Sequence, residues 1–300
     1  MRTVDLFSGC GGMAMGFINA GFDVVASYEC WDAAIQCHKA NFDHPVINMD
    51  LSNVDQAIKH IRTNAPDIII GGPPCQDFSN AGKRVESDRA VLTKCFAEIV
   101  CSIKPKYFVM ENVARSFKSN AYAEARKLFK DSGYGLTEQI LDASLCGVPQ
   151  RRKRLICIGL MEGEDSFADE IVYDNLSKSH LTLREYFGDE LKMEYYYRHP
   201  RTYSRRAIYS IDESAPTIRG INRPVPKEYE PHKNDATSAF ETVRSLTMEE
   251  RARIQTFPKN FEWVGPKTAC EQMIGNAVPV KMAEYVANVI KEYDTKHLAL

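Results

Sequence analysis

Short apolar runs alternate with stretches of helical period from the first residues of the chain. The runs "TVDLF", "DVVASYE", "PVINMD", "PDIIIGG" and "KYFVMENV" have the length and composition of strands. Between them "MAMGFINAG", "WDAAIQCHKANF", "VDQAIKHIRT" and "DRAVLTKCFAEIVCSIK" repeat apolar residues at helical spacing, and "AYAEARKLFKDSG", "LTEQILDAS" and the run over 152–160 continue the alternation. Strands separated by helices of this length predict βαβ units and an α/β fold with a doubly wound, mostly parallel sheet. Near Tyr173 the alternation stops. From there to Thr242 the chain is rich in Tyr, Arg and Pro, has no sustained helical period, and reads as a smaller irregular or β-rich insert. Helical pattern returns in "TMEERARIQTF" and "PVKMAEYVANVIKEY", where Met282, Val286, Val289, Ile290 and Tyr293 form a stripe suited to pack back on the first part. The expected division is therefore 1–172, an insert over 173–242, and a return segment over 243–300.

Composition narrows the class. The chain has 300 residues, 44% hydrophobic and 26% charged, enough for one sizeable core or two unequal domains. Its apolar runs fall far short of the roughly 18 residues of a membrane span, and no signal-peptide pattern follows Met1, so a soluble cytoplasmic protein is expected. Nine cysteines, with no CxxC pair and no zinc-like Cys/His spacing, read as reduced thiols, mostly buried fillers, and no metal is expected. The net charge of −2 argues against a uniformly basic surface. Yet between Arg198 and Lys227 seven basic residues, including Arg201, Arg205, Arg206, Arg219 and Arg223, face only Asp212 and Glu213, a local formal excess of about +5.

Candidate chemistry clusters at predicted strand ends. In "DLFSGCGG", Asp5 to Gly12, a strand runs through a glycine turn into a helix, whose free amides and small residues suit either a ligand or a plain tight connection. The spacing is not the GxGxxG of a dinucleotide site. Glu29 ends the second run, where an acid can hold ribose hydroxyls; Trp31 can stack on adenine or fill the core; Asp50 can accept from an adenine amino group or cap a helix. Together they describe an adenosine pocket without an obvious pyrophosphate seat. "GGPPCQDFS" fixes the backbone around Cys75 with two prolines, which suits a nucleophile and equally a tight turn. Glu111 in "MENV" lies at a strand's C-terminal edge, and "PQRRKR", Pro149 to Arg154, is a basic cluster before another strand.

With "RSLTMEERARIQTFP" and "IGNAVPV" following in order, the chain resembles the cytosine-5 DNA methyltransferase family from Val4 to nearly Glu292, apart from the insert. The resemblance implies a Rossmann-like methyltransferase domain with an inserted target-recognition domain, and catalysis by Cys75, Glu111, Arg152 and Arg154. Cys75 would attack carbon 6 of a flipped-out cytosine, making carbon 5 nucleophilic. Glu111 would contact ring nitrogen 3 and the amino group; Arg154 would hold the carbonyl, and Arg152 would position the thiol. The implied donor is S-adenosyl-L-methionine, leaving S-adenosyl-L-homocysteine. Phe7, Ser8, Gly9, Gly11 and Gly12 would lie against its methionine part, Glu29, Trp31, Asp50 and Leu51 would hold its adenosine, and Pro73, Asn276 and Val278 would complete the pocket. Ala277 stands where some members have serine, which removes a donor contact.

Double-stranded DNA is the implied partner. Gln76, Ser79, Lys83 and Arg84 of the loop after Cys75, together with Gln150, Arg219, Asn222 and Arg223, are the expected DNA-binding residues. The compact length resembles bacterial or phage restriction-modification enzymes, which implies a monomer near the nucleoid and a cognate endonuclease acting on the same site without a stable complex. A tRNA methyltransferase of the same family and an inactive DNA-binding relative are the rivals. The first usually carries a Cys-Phe-Thr element, and this chain has no Cys between Cys157 and Cys270; the second would not require all four catalytic residues. A nicotinamide oxidoreductase leaves "PPCQ" and "QRRKR" unused, and a thiol hydrolase lacks a recognisable Cys/His motif.

Overall fold

The computed structural model describes residues 1–74, 86–200, 202, 205–239 and 241–297. In chain order the strands are β1 (Arg2–Leu6), β2 (Asp23–Glu29), β3 (Val46–Asn48), β4 (Ile68–Gly71), β5 (Tyr107–Val113), β6 (Tyr134–Asp142), β7 (Gln150–Arg151), β8 (Lys153–Met161), β9 (Tyr195–Tyr197), β10 (Ile208–Ser210), β11 (Ala215–Pro216) and β12 (Arg244–Ser245). The helices are α1 (Gly12–Asn19), α2 (Asp32–Asn41), α3 (Val54–Arg62), α4 (Glu86–Ile103), α5 (Asn120–Asp131), α6 (Asp169–Asp174), α7 (Leu183–Phe187), α8 (Met248–Ile254), α9 (Lys267–Asn276) and α10 (Val280–His297). Among the described residues no helix is long and apolar enough to cross a membrane.

Among the described residues, a seven-stranded sheet of order β3-β2-β1-β4-β5-β8-β6 forms the centre. The first five strands are parallel, and β8 runs antiparallel to both β5 and β6. The order reverses between β1 and β4, the kind of switch point at which open α/β sheets bind ligands beyond their strand ends. Strands covered on both faces read as continuous apolar runs, and Ile68, Ile69 and Ile70 of β4 are all fully buried. One core lies between the sheet and α1 with α10, where the stripe Met282, Val286, Val289 and Ile290 packs against Phe17 and Ile156 as expected. A second lies on the opposite face, around Phe96, Phe108 and Phe129.

The insert is less separate than its composition suggests. β9, β10 and β12 form a small sheet, and its third strand comes from beyond residue 242. Leu183, Phe187, Tyr196, Ile211 and Ile218 share one core with Cys10, Ala34, Ala252 and Ile274. Among the described residues Tyr197, Ala207 and Ile208 make a distinct cluster, joined by Val243 from beyond the insert. Helices α6 and α7 are too short to leave a period in the sequence, although Thr182 begins α7 with a capping box to Glu185.

Candidate active site

The turn after β1 is shaped by main-chain bonds and one carboxylate. Phe7 and Gly9 have φ near 56° and 55°, and Gly11 reaches 93° with the rings of Phe42 and His38 where a side chain would stand. Glu29 ties this turn to the start of α2: one oxygen accepts from the Gly9 amide at 2.8 Å, the other from Cys30 and Trp31 at 2.8 and 2.9 Å. Trp31 is half-buried against the core beside α2. Asp50, exposed beyond β3, accepts from the Ser52 amide at 2.9 Å, while Asn53 is the residue that caps α3. Leu51 is buried in the same core as Tyr28.

Gly12 closes the far side. A methyl group there would collide with the Val278 carbonyl, so the first turn of α1 and the turn before α10 touch through backbone. Buried Gln255 holds that second turn, donating to the carbonyls of Ile274 at 2.5 Å and Ala277 at 3.1 Å. Asn276 is exposed and accepts from Gln272. Two polar groups at the turn stay unsatisfied: the Ser8 hydroxyl and both oxygens of Asp5 are buried without a hydrogen-bond partner among the described residues. Burial holds the Asp5 carboxyl well above the usual range. Such orphaned groups beside a glycine turn and a helix N-terminus fit a polar, amino-acid-bearing ligand better than a plain connection.

The second half of the site sits at the ends of β4, β5 and β8. In the antiparallel register Glu111 faces Ile156 and Val113 faces Arg154, so Glu111 and Arg154 are diagonal neighbours on one face. Their side chains meet at 2.7 Å, both largely shielded from solvent. A methyl group on Gly72 would stand 3.2 Å from the other Glu111 oxygen, which brings the segment leading to Cys75 against the carboxylate. Buried Pro73 accepts from Asn112 at 3.4 Å. Cys75 itself, with Gln76, Ser79, Lys83 and Arg84, lies outside the described residues.

Arg152 is 2% exposed, and its guanidinium donates to the carbonyls of Ile218, Gly275 and Ala277 at 3.1–3.3 Å, with no partner for Nε among the described residues. Burial, and then nearby Arg154, push it down to about 9, partly offset by Glu111, so it stays charged at neutral pH. It ties two other segments, at Ile218 and at Gly275 to Ala277, to the start of β8. Two expectations are corrected here. Gln150 is fully buried, donating to Gln255 at 2.7 Å and accepting from the Ile218 amide at 2.8 Å, so it braces the interior and presents nothing to DNA. Asn222 donates to Leu246 and Glu271, at 2.9 and 3.1 Å, where a free base reader was expected. Arg219 is half-buried with its guanidinium on the His199 carbonyl, and Arg223 is exposed. Sequence reasoning missed Gln255, Arg251 and Glu271. They lie in or beside "RSLTMEERARIQTFP" and "IGNAVPV", but only the fold shows their partners. Among the described residues no group of three His, Cys, Asp or Glu could hold a metal ion.

Fold and site together define a Rossmann-like methyltransferase. The model of the C-5 cytosine-specific DNA methylase family matches residues 1–292. The chain belongs to that family and is a DNA (cytosine-5) methyltransferase that acts in a sequence-specific way. It is 52% identical over 296 residues to the Type II methyltransferase M.HindV of Haemophilus influenzae, covering 98% of this chain and 97% of that one. To the Type II methyltransferase M.HgiDI of Herpetosiphon aurantiacus it is 50% identical over 294 residues, covering 98% and 95%. In fold it is similar to the S. pombe Dnmt2 methyltransferase, with a TM-score of 0.71 at 18% identity over 97% of this chain and 98% of that one.

Proposed function

We propose that Cys75, Glu111, Arg154 and Arg152 carry the chemistry, with S-adenosyl-L-methionine as the donor. The observation that supports this best is the shielded Glu111–Arg154 pair, 2.7 Å apart, directly beside the Gly72-Pro73-Pro74 approach to Cys75. The Cys75 thiolate adds to carbon 6 of the cytosine while Glu111 shares a proton with ring nitrogen 3, so the electron pair displaced from the ring accumulates at carbon 5. Arg154 holds Glu111 in place and offers donors to the base carbonyl. The donor supplies an electrophilic methyl group. After transfer a base takes the carbon 5 proton, the electron pair returns to the ring, and the carbon–sulfur bond breaks to free Cys75. The turn from Phe7 to Gly12 holds the donor's amino-acid end, with Ser8 as a free partner; Glu29, Trp31, Asp50 and Leu51 hold the nucleoside; Pro73, Asn276 and Val278 close the pocket. A closed site of this kind requires the cytosine to leave the helix stack.

Residues 173–242 serve as the target-recognition region, and 1–172 with 243–300 as the catalytic part. In the cell we infer a monomer in the bacterial cytoplasm, at the nucleoid, protecting a short site from a cognate endonuclease. The names of M.HindV and M.HgiDI support the Type II setting. The test is transfer of labelled methyl groups to mixed duplex DNA and, in parallel, to tRNA, with bisulfite sequencing of the DNA. Label at one cytosine of a repeated short motif is expected. Label confined to tRNA overturns the reading.

A further inference from the structure

The stretch from Thr217 to Arg223 leaves β11, whose partner β7 ends immediately before Arg152. Ala215 and Pro216 pair with Gln150 and Arg151, the Thr217 hydroxyl donates to the Arg151 carbonyl at 2.9 Å, and the Ile218 carbonyl accepts from Arg152 at 3.2 Å. Arg219, Gly220 and Asn222 are then held down on the catalytic part. Gly220 lies so close to Gly275 that a side chain on Gly275 would collide with its amide. The Arg219 carbonyl accepts from Arg251, which forms a buried ion pair with Glu271, and Glu271 in turn accepts from Asn222. A buried ion pair is favourable only when its remaining polar groups are satisfied, and here the stretch supplies those partners. The side chains of Ile221 and Arg223 stand outside this anchorage, although the Arg223 carbonyl accepts from the Ser245 hydroxyl at 2.6 Å: Ile221 is 57% exposed, and Arg223 is exposed and forms none of the ion pairs among the described residues.

We propose that Arg223, with Ile221 beside it, is the tip that reads bases, while Arg219 and Asn222 are positioning residues that seat it. This rests on the proposed action on duplex DNA. The chemistry separates the two pairs. Asn recognises adenine by donating from its amide nitrogen and accepting at its oxygen, and the Asn222 nitrogen is already divided between two acceptors. Taking it to a base would strand both acceptors. A guanidinium outside any ion pair keeps the fork that matches guanine, and an exposed isoleucine offers an apolar contact to the same surface.

The experiment measures methylation of duplexes with randomised flanks around the modified cytosine, read by bisulfite sequencing. Arg223→Lys, which keeps charge but loses the fork, is expected to lose roughly 10- to 100-fold discrimination at one base position while non-specific DNA affinity and its salt dependence hold. Ile221→Ala shifts the same profile less. Asn222→Ala lowers the rate on all duplexes by one common factor and leaves the profile unchanged; Asn222→Ser, which retains a donor, recovers part of that rate. An Arg223→Lys profile equal to wild type makes Arg223 a phosphate contact and overturns the proposal, as does a changed base preference in either Asn222 variant. Wild-type protein that methylates no DNA sinks the underlying reading instead.

Discussion

Two arginine-rich regions meet at the centre of this molecule, and they spend their charge differently. At the start of β8, Arg154 has one shielded carboxylate 2.7 Å away and Arg152 has only carbonyls. Both are aimed by neighbouring strands. Between Arg198 and Lys227 the formal excess of about +5 stands, but three of the described arginines direct donors into the fold. Arg206 pairs with Glu213, Arg198 donates to the Thr217 carbonyl at 2.7 Å, and Arg219 serves the His199 carbonyl. A run of basic residues is therefore not yet a basic surface. Where an arginine's donors go, and not how many arginines stand together, decides whether it can meet a phosphate or a base.

The comparison can be broken most severely at the proposed catalytic residues. Cys75→Ala should lower turnover by roughly 10⁴-fold or more with donor affinity kept, measured by label transfer and calorimetry. Glu111→Gln should cost ~10²–10³-fold in rate while DNA affinity holds, since the change removes proton sharing and not the duplex contacts. Behind the Glu111–Arg154 pair, Gln255→Leu strands the Ile274 carbonyl and the Gln150 amide and leaves the Ala277 carbonyl to Arg152 alone, for about 3 kcal/mol in urea unfolding.

The glycine turn after β1 should answer to pH. His38 is fully buried behind the glycine turn, its Nε2 3.0 Å from that of His44. Burial and then His44 push His38 down to about 3; burial pushes His44 down to about 4 against the pull of Asp43 and Asp23. Folded values below the unfolded one mean stability is complete above about pH 6.5 and is lost as the pH falls. For His38 the loss reaches about 2 kcal/mol at pH 5. Unfolding midpoints at pH 7 and 5 should show the drop, and His38→Gln should reduce it. Trp31→Ala gives the smallest effect, donor binding about tenfold weaker by calorimetry with DNA affinity unchanged.

The alternation of runs and periods made the sheet legible, because β strands buried on both faces and amphipathic helices leave opposite signatures. The positions of Glu29 and Glu111 at strand ends followed from it. The reversed direction of β8 did not, since a strand reads alike in either direction. Gln150 and Asn222 misled for a different reason. Their residue types suit DNA, and only tertiary contacts reveal that Gln255, Ile218, Leu246 and Glu271 have already taken their hydrogen bonds. Glu271 and Gln255 were silent for the same cause: a buried polar side chain in a helical stretch resembles a solvated one until its partners are in view.

The most direct test of the Cys75 mechanism is a trap. A duplex carrying the enzyme's own site with 5-fluorocytosine at the target cannot release the carbon 5 substituent as a proton, so the cycle must stop with the base still bound to the nucleophile. Incubated with S-adenosyl-L-methionine and digested, the protein should yield the peptide containing Cys75 with the methylated fluorinated nucleotide attached. Attachment at any other residue, or full methyl transfer to normal DNA with no adduct on the fluorinated duplex, would contradict it.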